Sequence, residues 1–234
     1  MSRLLGPPGR PLQDDTADDP MWSLRLGGWL VVVGLITALG YYGRFDGEEL
    51  PDDYLYTYEP GTAGLMMGVL LTAMVVLFSL GRFRLLALRN PPSWLRAAGF
   101  FVVAVVAGVV ASYVIELFLD GGAEQGIVTD TWDPTRAGIY AFNFVVIATA
   151  VPIAEELLYR GVGYSLLSRW GAPVAIVATA VAFGLSHGLV EGLPTLVAFG
   201  LIVGWLRYRT DSVVPCIAFH ACFNAIALLA TVGS

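Results

Sequence analysis

Seven long apolar stretches alternate with short polar connections along this chain. They span roughly residues 24–42, 62–80, 97–119, 137–154, 172–187, 193–208 and 213–231, the fourth running on towards residue 167. At about 1.5 Å per residue, a helix of this length crosses, or nearly crosses, a hydrocarbon core about 30 Å thick. The longest stretch, 97–119, lacks the period-two alternation that a membrane strand would need. The pattern predicts an all-α fold: a polytopic transmembrane helical bundle of about seven spans.

Composition strengthens that reading. The chain has 234 residues, of which 56% are hydrophobic and 14% charged. Soluble domains sit nearer 45–50% apolar and about 25% charged. The net charge of -6 says little about partners, because it is segregated by side, and no nucleic-acid partner is expected. Residues 1–22 are polar and lack an apolar signal core, so they read as a disordered cytoplasmic tail. Residues 23–134 hold the first three helices, and 135–234 hold the remainder.

All 13 basic residues are arginine, and they are unevenly placed. Arg3, Arg10, Arg25, Arg82, Arg84, Arg89, Arg96, Arg160, Arg169, Arg207 and Arg209 fall on one side of the alternation, and Arg44 and Arg136 on the other. Positive charge marks cytoplasmic loops. The expected topology is a multi-pass cell-membrane protein, N-terminus cytoplasmic and C-terminus outside, most simply in a bacterial plasma membrane. Cys216 and Cys222 share the last apolar run and imply no disulfide framework. No internal repeat is visible, which argues against a secondary transporter.

Ionisable groups inside apolar runs are costly and usually functional. The fourth run leads into Glu155, Glu156 and Arg160, the fifth ends at Phe183 and His187, and the seventh contains His220 and Asn224. The chain has only 2 histidines, and both lie in apolar runs. Helical spacing puts Glu156 and Arg160 on one face, where they can pair. It turns Glu155 by about 100° towards another helix. Phe183 and His187 share a face, as do His220 and Asn224. A carboxylate beside a histidine can hold and deprotonate a water. A second histidine and an asparagine can donate hydrogen bonds to an oxyanion. Alternatively, Glu155, His187 and His220 form the two-histidine, one-carboxylate ligand set that zinc uses in hydrolases. Spacing alone leaves both open.

Together, Glu155-Glu156-x-x-x-Arg160, Phe183-x-x-x-His187 and His220-x-x-x-Asn224 resemble the motifs of the CPBP family of intramembrane proteases. That family includes CAAX prenyl endopeptidases of the Rce1 kind and the bacterial Abi proteins that process bacteriocins. The resemblance covers about residues 148–230 and includes Gly200-x-x-x-Gly204. It implies an intramembrane endopeptidase acting on a peptide or protein substrate in or beside the lipid bilayer, with 135–234 as the catalytic core. By position, Glu155 resembles the catalytic glutamate acting with His187 on the water. His220 and Asn224 resemble the oxyanion pair, and Glu156, Arg160 and Phe183 support the motifs. Hydrolysis by glutamate without metal is the favoured expectation over a zinc metallopeptidase.

Three other readings compete. A non-catalytic binding partner or immunity protein would use the same cavity. A rhomboid-type serine protease would use Ser165, within Gly163-Tyr164-Ser165-Leu166. A small transporter would need a symmetry the sequence lacks.

Overall fold

The computed structural model describes residues 16, 18–46, 51, 53–119, 124 and 132–232. The expected tail, 1–22, lies mostly outside the described residues. Seven helical rods follow in order: α1 (Trp22–Asp46), α2 (Glu59–Ser79), α3 (Trp94–Glu116), α4 (Pro134–Trp170), α5 (Ala172–Leu185), α6 (Leu193–Thr210) and α7 (Val214–Thr231). Two short 3₁₀ turns, Tyr54–Tyr56 and Phe83–Leu86, sit in the connections. No strand occurs among the described residues.

Each expected apolar stretch is a helix. Four helices are long and apolar enough to cross a membrane: Trp22–Phe45, Glu59–Ser79, Trp94–Glu116 and Pro134–Trp170. Two apolar helices are shorter, and α5 has only 14 residues, about 21 Å of rise. The apolar side chains of α1, α2 and α3 face outward in large numbers, Leu39, Met66, Val103 and Val109 among them. A soluble surface would not carry so large an apolar area, whereas lipid accepts it.

Two boundaries have physical reasons, and the second differs from expectation. The fourth helix passes residue 154 and its charged residues, as the extension towards 167 anticipated, and reaches Trp170, 37 residues in all from Pro134. Glu156 and Arg160 neutralise each other inside the bundle, both fully buried, so the charges do not mark a helix end. The fifth helix stops at Leu185, and His187 lies in the turn beyond it. Gly188 follows at φ +67°, in the left-handed region that favours glycine.

α4 is the axis of the molecule, and α2 and α7 pack along it. α5 and α6 form a tight antiparallel pair, with α3 laid against α6. A Cβ on Gly200 would come within 2.8 Å of the Ala180 Cα, so that seam closes backbone to backbone. The core runs through Trp29, Val75, Leu158, Tyr159, Phe183, Val203, Leu206 and Phe219, drawn from α1, α2, α4, α5, α6 and α7. Ala104 of α3 joins the same cluster, so the first three helices share a core with the last four.

Candidate active site

The site is built around an interruption in α4. Its backbone widens to π geometry at Val146–Ala150 and again at Leu157–Gly163, leaving one α-helical piece, Val151–Glu156, between them. Single π turns inside α-helices occur mostly where function demands a shifted register. Glu155 and Glu156 end the α-helical piece, at the edge of the second π segment.

Side chains from other helices donate to backbone carbonyls inside both π segments. Asn224 of α7 donates its amide to Ile147 in the first, at 3.0 Å. In the second, the Trp29 indole donates to Leu158 at 3.0 Å and the Arg207 Nε to Arg160 at 3.1 Å. Three helices thus pin the widened backbone.

Glu156 is fully buried and holds two cations or donors on one oxygen. Its Oε1 accepts from Arg160 Nη1 at 3.0 Å and meets His220 Nδ1 at 2.9 Å. A carboxylate oxygen accepts, so Nδ1 carries the proton and donates. The other ring nitrogen, Nε2, lies 3.7 Å from Glu155 Oε2. Glu155 keeps some exposure, 16% against 0% for Glu156. Arg160 also donates to the Gly200 carbonyl at 3.1 Å, tying α4 to α6. Its guanidinium lies over the Phe183 ring at 4.7 Å, which replaces part of its hydration.

Phe183 sits between the two imidazoles. Its ring centroid is 4.6 Å from His187 and 5.6 Å from His220. Phe199 of α6 covers the other side, 4.9 Å from His220 and 5.5 Å from Phe183. His187 Nδ1 lies 2.8 Å from the Phe183 carbonyl. A carbonyl only accepts, so Nδ1–H donates and Nε2 of a neutral ring keeps its lone pair.

The structure therefore gathers Glu155, Glu156, Arg160, Phe183, His187, His220 and Asn224 around one stretch of α4. It joins them differently from the pairing the spacing favours. No hydrogen bond or ion pair links Glu155 to His187 among the described residues; Glu155 meets His220 instead. Glu156, placed with the supporting residues, is the carboxylate that orients His220. No three His, Cys, Asp or Glu side chains among the described residues gather closely enough to hold a metal ion. The zinc set of Glu155, His187 and His220 does not converge in this geometry.

The turn that carries His187 is anchored by the first part of the chain. A Cβ on Gly188 would fall 2.3 Å from the Gly40 carbonyl carbon, so α1 and the turn touch backbone to backbone. The Tyr41 hydroxyl donates to the Leu189 carbonyl at 3.2 Å. Glu124 accepts from the backbone N–H groups of Val190 and Gly192, at 2.9 and 2.8 Å, and pairs with Arg44 at 3.2 Å. Gly40, Tyr41 and Glu124 have no motif that marks them. Only Gly40 beside an aromatic pair near a helix end hints at close packing.

Ser165 belongs to no catalytic set. It is buried and donates to the Leu85 carbonyl at 2.9 Å, which removes the structural basis for the serine-protease reading. Asn143, within the fourth run, is likewise structural: its amide donates to the Leu55 and Thr57 carbonyls.

No curated protein and no solved structure matches the chain. A family model does: residues 137–226 match the type II CAAX prenyl endopeptidases, Rce1-like. The match begins at the first turns of α4 and ends within α7, so it encloses every residue of the cluster. With motif residues from α4, the turn after α5 and α7 gathered around the π-widened part of α4, residues 137–226 are similar to the Rce1-like domain of the CAAX-type proteases.

Proposed function

We propose that the protein is an intramembrane endopeptidase that cuts a membrane-associated or membrane-embedded peptide, using Glu155 as the base and no resident metal. One observation carries this reading: Glu156, His220 and Glu155 form a continuous chain of contacts, at 2.9 and 3.7 Å, across two helices inside an apolar bundle. A carboxylate held that close to an oriented imidazole, with partial exposure, is placed to take a proton from water.

The chemistry runs as amide hydrolysis. Glu155 accepts a proton from a water shared with His187, whose Nε2 lone pair can accept from it. The hydroxide attacks the carbonyl carbon and charge moves to the oxygen. His220, turned by Glu156 through Nδ1–H, donates to that oxygen from Nε2, a step that requires a proton on each ring nitrogen. Asn224 adds the second of its two amide hydrogens, the first being engaged by Ile147. The proton held by Glu155 then passes to the leaving amine as the C–N bond breaks. The helices surrounding the site limit competing water.

The arginine pattern supports a cytoplasmic N-terminus and an outside C-terminus in a cell membrane. Arg160 and Arg207 do not contribute to it, since both are buried in the bundle.

The test is reconstitution in lipid vesicles with a library of fluorogenic membrane peptides. Wild type, E155Q and H187A are compared with and without a strong chelator. Cleavage is expected to fall by roughly 10²–10⁴-fold in each variant, the range for loss of a general base, and to ignore the chelator. Full cleavage by E155Q overturns the site, and chelator-sensitive cleavage restored by zinc overturns the metal-free mechanism.

A further inference from the structure

Away from the catalytic cluster, the connection before α3 meets the end of α6. Together they enclose a cavity of about 360 Å³, lined by Pro91, Ser93, Arg96, Phe100, Arg209 and Thr210 among others. Cavities that hold small molecules begin at about 300 Å³. The lining has two guanidinium groups and no carboxylate.

Arg209 is held in place but not neutralised. Its guanidinium stacks on Phe100 at 4.5 Å and lies 6.0 Å from the Trp205 centroid. Its Nε is buried and makes no hydrogen bond among the described residues. The acid nearest along the chain, Asp211, is engaged elsewhere, by Arg89 at 2.7 Å and Arg207 at 3.2 Å. A buried cationic donor without a partner is costly. The geometry therefore asks for an anion.

The rest of the lining defines the anion. Ser93 is the N-cap of α3, accepting from the Arg96 N–H at 3.4 Å, so its hydroxyl proton is free to donate. The start of that 23-residue helix adds the positive end of its dipole. The Thr210 hydroxyl already donates within the chain, to Leu206 and Ser212 carbonyls. Arginine forks match the tetrahedral oxygens of phosphate well. Trp94 and Leu95, which lie in the chain between the lining residues Ser93 and Arg96, are exposed at 55% and 85%. Tryptophan beside an exposed apolar side chain at the end of a spanning helix marks the lipid headgroup region.

We propose that this cavity binds a phosphate group, that of an anionic lipid headgroup, with Arg96, Arg209 and Ser93 as donors and Trp94 and Leu95 against the acyl chain. The site is separate from the protease chemistry and stands whether or not that chemistry is confirmed.

The experiment uses the full chain in phosphatidylcholine nanodiscs with increasing phosphatidylglycerol, or with inorganic phosphate instead. Bound lipid is counted by native mass spectrometry and the unfolding midpoint is followed in parallel. Phosphatidylglycerol is expected to bind and raise the midpoint. R96Q, which alters only an exposed side chain, and R209Q are each expected to weaken that binding by about tenfold, the loss of one charge-assisted contact. Equal binding by wild type and both variants overturns the proposal. So does wild type that fails to distinguish phosphatidylglycerol from phosphatidylcholine. Binding of inorganic phosphate with no gain from the lipid overturns the lipid assignment.

Discussion

At the scale of single residues, Glu156 sets the geometry. One oxygen meets both Arg160 and His220, so the carboxylate is structural and orienting at once. Removing one member of a buried ion pair costs about 3–5 kcal/mol, because the remaining charge is left without compensation. Glu156→Ala is therefore expected to lower the unfolding free energy by about that much. The double variant Glu156→Leu with Arg160→Met is expected to recover most of the stability and none of the cleavage. Chemical denaturation and peptide cleavage on the same preparations separate the two roles. Recovery of cleavage by the double variant would show that His220 needs no orientation. The pairing of Glu156 with Arg160 was legible in the sequence, because an i,i+4 relation is local. The contact of Glu156 with His220 was not, because 64 positions of chain separate them.

At the scale of elements, the π segments decide which way the acids face. A regular helix through α4 would advance about 100° per residue, and this was the only rule available from the sequence. Two wide turns shift that register, and donors from α1, α6 and α7 stabilise the shift. The same lesson holds at the end of α5. Spacing placed His187 on the helix face of Phe183, but the helix stops short and the turn is set by contact with α1. Gly188→Ala tests this. A methyl group there meets Gly40 backbone at 2.3 Å, and the residue sits at φ +67°, so the turn must move. Cleavage is expected to fall at least about tenfold, since small misplacements of reacting groups carry large rate costs. Far-ultraviolet circular dichroism should stay unchanged. Full activity in this variant would remove α1 from the positioning of His187.

At the scale of the whole molecule, the polar connections tie the apolar rods at one end. Glu124 is pulled two ways. Desolvation pushes its carboxyl up, but the N–H groups of Gly192, Val190 and Glu191 and the charge of Arg44 together hold it below its ordinary 4.5. Asp133 is lowered from 3.8 to about 2 by the Thr135 hydroxyl first, then by Arg136 and the Thr135 N–H. Both carboxyls bind protons less readily folded than unfolded. Their stabilisation is thus complete above the ordinary carboxylate values and is lost as pH falls through the lowered ones. The unfolding midpoint of wild type is expected to drop as pH falls below about 4.5, and that of E124Q to drop less steeply. Parallel slopes for the two proteins would show that Glu124 carries no such linkage.

What the sequence determined was the class of the molecule and the candidate residues that the structure gathers around α4. Hydropathy is a sum over neighbours in the chain, so seven apolar runs and their helical nature follow from local composition. Motif residues at i,i+4 likewise need only one helix to be recognised. Tertiary structure decided the rest: that Glu155 meets His220, and that His187 is held by α1. Each depends on the register of one helix against another and on a backbone locally widened to π geometry. Those features arise from packing between distant segments, where a shift of one residue turns a side chain to a different neighbour.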